Sequence, residues 1–147
     1  GLQLAIIRQE SAFVHNAKPP RKHILWVIPW GRQSDAYGYP QAKDATWDWY
    51  RDKSGRGGAD RNDLDDAADF VSWYVAQTYR LTGTPKHDAF HQYLAYHEGH
   101  GGFQRGSWRS KQWLIGVARK VERNTSVYNA QIAKCRDEFE SPWWWPF

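Results

Sequence analysis

The sequence predicts a mainly helical domain of the α+β class, with its β structure confined to one short irregular region. Three observations carry this expectation. Several stretches repeat apolar residues every three or four positions, the period of one helix face. A single stretch, residues 17–39, concentrates Pro19, Pro20, Pro29, Gly31 and Gly38 around the apolar run Ile24-Leu25-Trp26-Val27-Ile28. Proline and glycine break helices there, and the β-branched run favours a short strand or hairpin. The lone Cys135 allows no internal disulfide, so an apolar core must hold the chain together. A length of 147 residues suits one domain with such a core.

Taken in order, residues 2–11 read as a helix with Leu4 and Ile7 on one face. After the irregular arm, residues 45–53 form a short helix that stops before Gly55, and residues 54–59 make a Gly-rich turn. Asn62 is the expected N-cap of the next helix, with Asp63, Asp65 and Asp66 where the helix dipole favours negative charge. Leu64, Ala67, Ala68, Val71, Tyr74, Val75 and Thr78 form its apolar stripe, and Gly83 closes it. Residues 86–97 form a further helix with Phe90, Tyr93 and Leu94 inward, followed by a Gly-rich loop over 99–106. The last helix covers 110–137, with Trp113, Val117, Val121, Tyr128, Ile132 and Cys135 on its inner face. Cys135 reads there as a small buried hydrophobe. Residues 1–137 are thus expected to be the domain, and 138–147, rich in Trp and Pro, an aromatic tail packed on it.

Composition narrows the function without naming it. The chain has 10 Trp, 8 Tyr and 6 Phe, enough to fill a core with large rings and to spare some as platforms for sugar rings. The net charge of +4 favours anionic partners, but Lys and Arg are scattered and no nucleic-acid-binding pattern is present. No nucleic-acid partner is expected. No stretch is apolar enough to span a membrane. The chain opens inside a helix, as a trimmed or mature fragment would, so the sequence leaves open an export signal or lipid anchor upstream of Gly1.

Three local patterns carry chemistry. The first is Arg8-Gln9-Glu10-Ser11-Ala12-Phe13 at a helix end. The second is Ala36-Tyr37-Gly38-Tyr39-Pro40-Gln41. The third is Leu94-Ala95-Tyr96-His97-Glu98-Gly99-His100. In this order, in a helical chain, they resemble the soluble lytic transglycosylase family of the lysozyme-like superfamily. That family carries a helix-terminal Glu-Ser before an aromatic residue, then a Gly-Leu-Met-Gln-like turn, then an Ala-Tyr-Asn-Ala-Gly-like segment. Glu10, Ser11 and Phe13 match the first. Gly38 and Gln41 match the ends of the second, where Tyr39 and Pro40 replace the middle. Ala95, Tyr96 and Gly99 match the third, where His97 and Glu98 replace Asn-Ala. The departures mark a divergent branch.

The resemblance implies a lysozyme-like helical domain that cleaves the MurNAc-β-1,4-GlcNAc bond of peptidoglycan with one carboxylate. Glycosidic cleavage needs an acid to protonate the leaving oxygen. A carboxyl serves at neutral pH only when its surroundings disfavour the anion, as apolar burial does. Glu10 is the candidate acid and base, with Phe13 three residues on. Ser11 would contact the substrate N-acetyl group or cap the helix. Tyr96 would orient Glu10 or the substrate. Gln41 would bind sugar from a tight turn in which Gly38 admits close backbone approach. Tyr37, Tyr39, His97 and Glu98 complete the expected substrate-binding set.

No metal or cofactor is needed for this chemistry. His87 and His91 lie four apart, but His97 and His100 are only three apart and do not make a zincin motif. Asp35 and Glu98 are the rival carboxylates, and either would make the enzyme an inverting hydrolase if it faced Glu10 across room for a water. A non-catalytic glycan-binding protein is the remaining alternative. The expected partner is the peptidoglycan glycan strand, the location the periplasm or cell envelope, and the working form a monomer.

Overall fold

A computed structural model describes residues 1–18 and 35–140. The predicted strand around residues 24–28 and residues 141–147 of the predicted tail lie outside the described residues, while residues 138–140 of that tail continue the last helix. Within them the chain is mainly helical: α1 (Leu2–Ser11), α2 (Asp44–Ser54), α3 (Leu64–Thr82), α4 (Ala89–Gln104) and α5 (Gln112–Glu140). Of the expected β-region, the described part holds one antiparallel bridge, between Tyr37 and Ala42.

The chain divides into two compact units, one made of residues 1–5 and 78–147, the other of residues 6–77. The second contains the dense aromatic core. Trp47 and Tyr50 of α2 and Phe70 of α3 are buried, with Trp47 and Phe70 ring centroids 5.1 Å apart and Tyr50 edge-on to Phe70 at 5.3 Å. Trp49 and Trp73 meet edge to face at 4.6 Å. Rings at these separations gain about 1 kcal/mol per pair beyond their buried area. The Tyr50 hydroxyl donates to Asp69 Oδ2 at 2.7 Å, so the buried ring keeps its polar end satisfied at the edge. Tyr74 is also buried, and burial pushes its hydroxyl up to about 12.

In the first unit α4 packs on α5. Tyr93 and Leu94 are buried on α4, and Leu114, Ala118, Val121 and Thr125 on α5. The spacing of that α5 stripe is helical and includes the expected Val121, but Leu114 and Ala118 are buried where Trp113 and Val117 were expected. Trp113 is 60% exposed, Ile132 is exposed, and Cys135 is an exposed free thiol rather than a buried hydrophobe. On α3, Leu64 is likewise exposed while Phe70 joins the core.

Helix ends differ in detail. Asp63, not Asn62, caps α3: its Oδ1 accepts from the N–H groups of Asp65 at 2.9 Å and Asp66 at 3.0 Å. Gly55 and Gly83 end α2 and α3 in the left-handed region, as expected. The Gly-rich stretch after His97 is helical through Gln104, interrupted only at Gly99, where φ is 71° and ψ 158°. That conformation suits glycine alone, so one residue kinks the helix and the next turn resumes.

Candidate active site

Glu10 occupies the penultimate position of α1, in the unit of residues 6–77. Ile6 and Ile7 one turn earlier are fully buried, and the Oε1 atom of Glu10 is itself out of solvent. Ser11 is buried and its hydroxyl donates back to the Ile7 carbonyl at 3.1 Å, an i to i−4 bond within the last turn. The helix then stops abruptly. Ala12 (φ 50°) and Phe13 (φ 62°) both sit in the left-handed region, where a side chain costs about 1–2 kcal/mol per residue. Such strain collects at functional sites, where the surrounding structure holds the backbone in place. Phe13 is 39% exposed, so Ile6 and Ile7 rather than Phe13 supply the buried apolar surface on this turn.

The second motif is a turn built against the segment that leaves α1. Gly38 N–H donates to the Ala17 carbonyl at 3.1 Å, and Gln41 Nε2 donates to the carbonyls of Ala17 at 2.8 Å and Gly38 at 2.9 Å. Glycine at 38 is required twice over, by its φ of 74° and because a Cβ there would overlap the Arg61 carbonyl. The same carbonyl accepts from Tyr39 N–H at 3.0 Å. The Gln41 amide therefore fastens the turn, and what the turn offers a ligand comes from the half-exposed Tyr37 and Tyr39 around it.

Arg61 was not foreseen as part of this assembly. Its guanidinium donates to the Ala42 carbonyl at 2.9 Å, pairs with Asp44 at 2.7 Å and lies 5.5 Å from the Tyr37 ring centre. An open cleft of about 570 Å³ lies between Tyr37, Trp47, Asp48 and Arg61. Of the residues expected at the site, Tyr37 lines it. Asp35, a rival for the second carboxylate, accepts from Asp44 N–H at 3.3 Å and so serves the start of α2, where Lys43 offers no capping side chain.

The third motif belongs to the other unit. Ala95 is buried, Tyr96 half-buried, and the Glu98 side chain is only 5% exposed. Lys111 Nζ donates to both Glu98 oxygens, at 2.7 and 2.9 Å; Ser107 Oγ donates to Oε2; and His97 Nδ1 lies 3.1 Å from Oε1. Burial alone would raise the Glu98 carboxyl. The hydrogen bonds from Lys111, Ser107 and His97, with the lysine charge, outweigh it and hold the group at about 2. Glu98 is thus a carboxylate at neutral pH, and cannot donate a proton there.

His91 Nδ1 faces Asp88 Oδ2 at 2.8 Å, and Asp88 also caps α4. Among the described residues no cluster of three or more His, Cys, Asp or Glu side chains is arranged to hold a metal ion. No helix among them is long and apolar enough to cross a membrane.

A helical chain with an acid at the end of its first helix, a glycine-pivoted turn and an Ala-Tyr segment on a later helix has the features of a lysozyme-like domain. The family model described as the transglycosylase SLT domain matches residues 1–135, and the chain belongs to that family. Comparison with curated proteins gave no match, and comparison with solved structures gave none.

Proposed function

We propose that the protein is a peptidoglycan lytic transglycosylase in which Glu10 is the single acid and base. The observation that carries this is the setting of Glu10: a carboxyl whose Oε1 is out of solvent, on a turn backed by Ile6 and Ile7, held by a strained helix end. An acid that works at neutral pH needs a setting that disfavours its anion, and an apolar surround is the usual way a protein supplies one. The rivals support the same assignment by their commitments. Asp35 serves the start of α2, and Glu98 is a carboxylate locked to Lys111.

In this reading Glu10 gives its proton to the oxygen bridging the two sugars. The C1–O bond breaks, and its electron pair leaves with that oxygen. The N-acetyl carbonyl oxygen of the muramyl ring bonds to C1 and takes up the developing positive charge. Glu10, now a carboxylate, removes the proton from the 6-hydroxyl. O6 displaces the acetamido oxygen at C1 and closes the 1,6-anhydro ring. Glu10 ends protonated, and neither water nor a metal enters the balance.

Ser11, Tyr37, Gly38, Tyr39 and Gln41 build the sugar-binding turn around this acid, with Ser11, Gly38 and Gln41 acting through backbone geometry. Tyr96, His97 and Glu98 of the third motif are further substrate-binding residues of this reading. A glycan-strand substrate places the working protein in the cell envelope. The test is clearing of a peptidoglycan suspension alongside a glycan pull-down, for the protein and for Glu10→Gln. We expect clearing by the first only and binding by both. Binding without clearing by the unsubstituted protein would show a glycan-binding domain without turnover.

A further inference from the structure

His97 stands where the family pattern has Asn, and its surroundings are specific to this chain. The Glu98 carboxylate beside it can only accept hydrogen bonds. His97 Nδ1, 3.1 Å from Oε1, must therefore carry the proton. In the neutral ring this leaves Nε2, on the opposite edge, as an acceptor. The carboxylate is not free to turn. Lys111 grips both of its oxygens, and the Ser107 hydroxyl donates to Oε2. Lys111 immediately precedes α5, and Trp113, the second residue of that helix, lies edge-on to the His97 ring at 5.3 Å. Trp113 is 60% exposed, more so than Val127 or Ile132 further along α5. The His97 side chain is itself one-third exposed.

We propose that His97 and Trp113 form a subsite for an N-acetylated pyranose ring, with Glu98 as the positioning residue that fixes the His97 tautomer. Trp113 offers an apolar face to the C–H side of the sugar, and His97 Nε2 accepts from an amide N–H or hydroxyl at its edge. Lys111 and Ser107 act one step further out, by orienting Glu98. The pattern of an acceptor beside an exposed indole is what a sugar requires, with donors around its rim and C–H groups on its faces. The proposal rests on the glycan-strand reading above, but it concerns binding and not the cleavage step.

The experiment is NMR on the Glu10→Gln protein, labelled with 15N and titrated with the tetrasaccharide of N-acetylglucosamine. The unsubstituted His97 ring should resonate as the Nδ1–H tautomer, and the Trp113 indole signal should shift to saturation. His97→Ala and Trp113→Ala should each weaken binding about tenfold, the effect of losing one good ring or hydrogen-bond contact. Glu98→Gln should move His97 toward the Nε2–H tautomer and weaken binding similarly, while Lys111→Arg should retain both. An Nε2–H ring at His97 in the Glu10→Gln protein, or a Trp113 signal that stays still at saturation, overturns the subsite. Failure of the tetrasaccharide to bind overturns it as well. Should Glu98→Gln fold poorly, the His97 tautomer and the Trp113 titration decide the matter alone. Peptidoglycan cleavage with a silent Trp113 would refute the subsite and leave the catalytic reading standing; a shifting Trp113 without cleavage would do the reverse.

Discussion

At Gly38 the backbone turns through φ 74° with the Arg61 carbonyl pressed where a side chain would begin. Gly38→Ala therefore meets both backbone strain and a collision with main-chain atoms that cannot swing aside. We expect it to lower stability by about 2–3 kcal/mol, read from urea unfolding, and to detach the turn that Gln41 fastens to Ala17. Ala12 presents the opposite case. It is exposed and lies at φ 50°, so Ala12→Gly removes strain and loses no packing. That substitution should stabilise by about 0.5–1 kcal/mol after the extra freedom of glycine in the unfolded chain is deducted. No gain in thermal midpoint would mean that the end of α1 is not strained. That Gly38 and Gln41 share one turn was legible in the sequence because the motif carries them three residues apart, although Gln41 fastens that turn through the Ala17 and Gly38 carbonyls. Arg61 was not, because its partners Ala42, Asp44 and Tyr37 lie some twenty residues away, and no local pattern joins an arginine to a distant carbonyl.

Among the elements, α5 shows how far periodicity reaches. Its apolar residues come in adjacent pairs, Trp113 beside Leu114 and Val117 beside Ala118, and both members repeat at helical spacing. Spacing fixes that a helix exists; packing against α4 decides which stripe is buried, and it selects Leu114, Ala118 and Val121. The same holds after His97. Glycines at 99, 101 and 102 read as a loop, but only Gly99 leaves the helical region, and one residue without a side chain can kink a helix without ending it. At the start of α3 the sequence pointed to Asn62 as the cap, and Asp63, the next residue, holds it. Asp63→Ala should cost about 1 kcal/mol of stability, and Asn62→Ala distinctly less. Equal effects would contradict this capping assignment. The Glu98–Lys111 pair is the tie between α4 and the start of α5. Lys111→Met should cost about 2 kcal/mol, between the values for exposed and buried pairs, because it strands a carboxylate that is 5% exposed.

For the whole molecule, Glu98 and Tyr74 shape the acid and alkaline limbs of stability. Glu98 has its folded pKa depressed from 4.5 to about 2, so the stability it contributes is present above 4.5 and is lost as pH falls through 2. Tyr74 has its folded pKa raised from 10.0 to about 12, so its contribution is present below 10 and is lost as pH rises through 12. Both contributions are therefore fully present between pH 4.5 and 10. In equilibrium unfolding across pH, Glu98→Gln should flatten the acid limb and Tyr74→Phe the alkaline limb; limbs unchanged in the variants would remove both groups from the account. The helical class of the molecule was legible because periodicity, caps and glycine stops agreed along the chain. The abundance of tryptophan was legible only as a choice between core and platform. Trp47 is spent in the core, and Trp113 stands at the surface.

The central claim, that Glu10 alone protonates and deprotonates during glycan cleavage, is tested most directly by mass spectrometry of the products released from purified peptidoglycan. The unsubstituted protein should release fragments ending in 1,6-anhydromuramic acid, and Glu10→Gln, which keeps size and polarity but lacks the titratable proton, should release none. Fragments with ordinary reducing ends, or undiminished release by the variant, would contradict it.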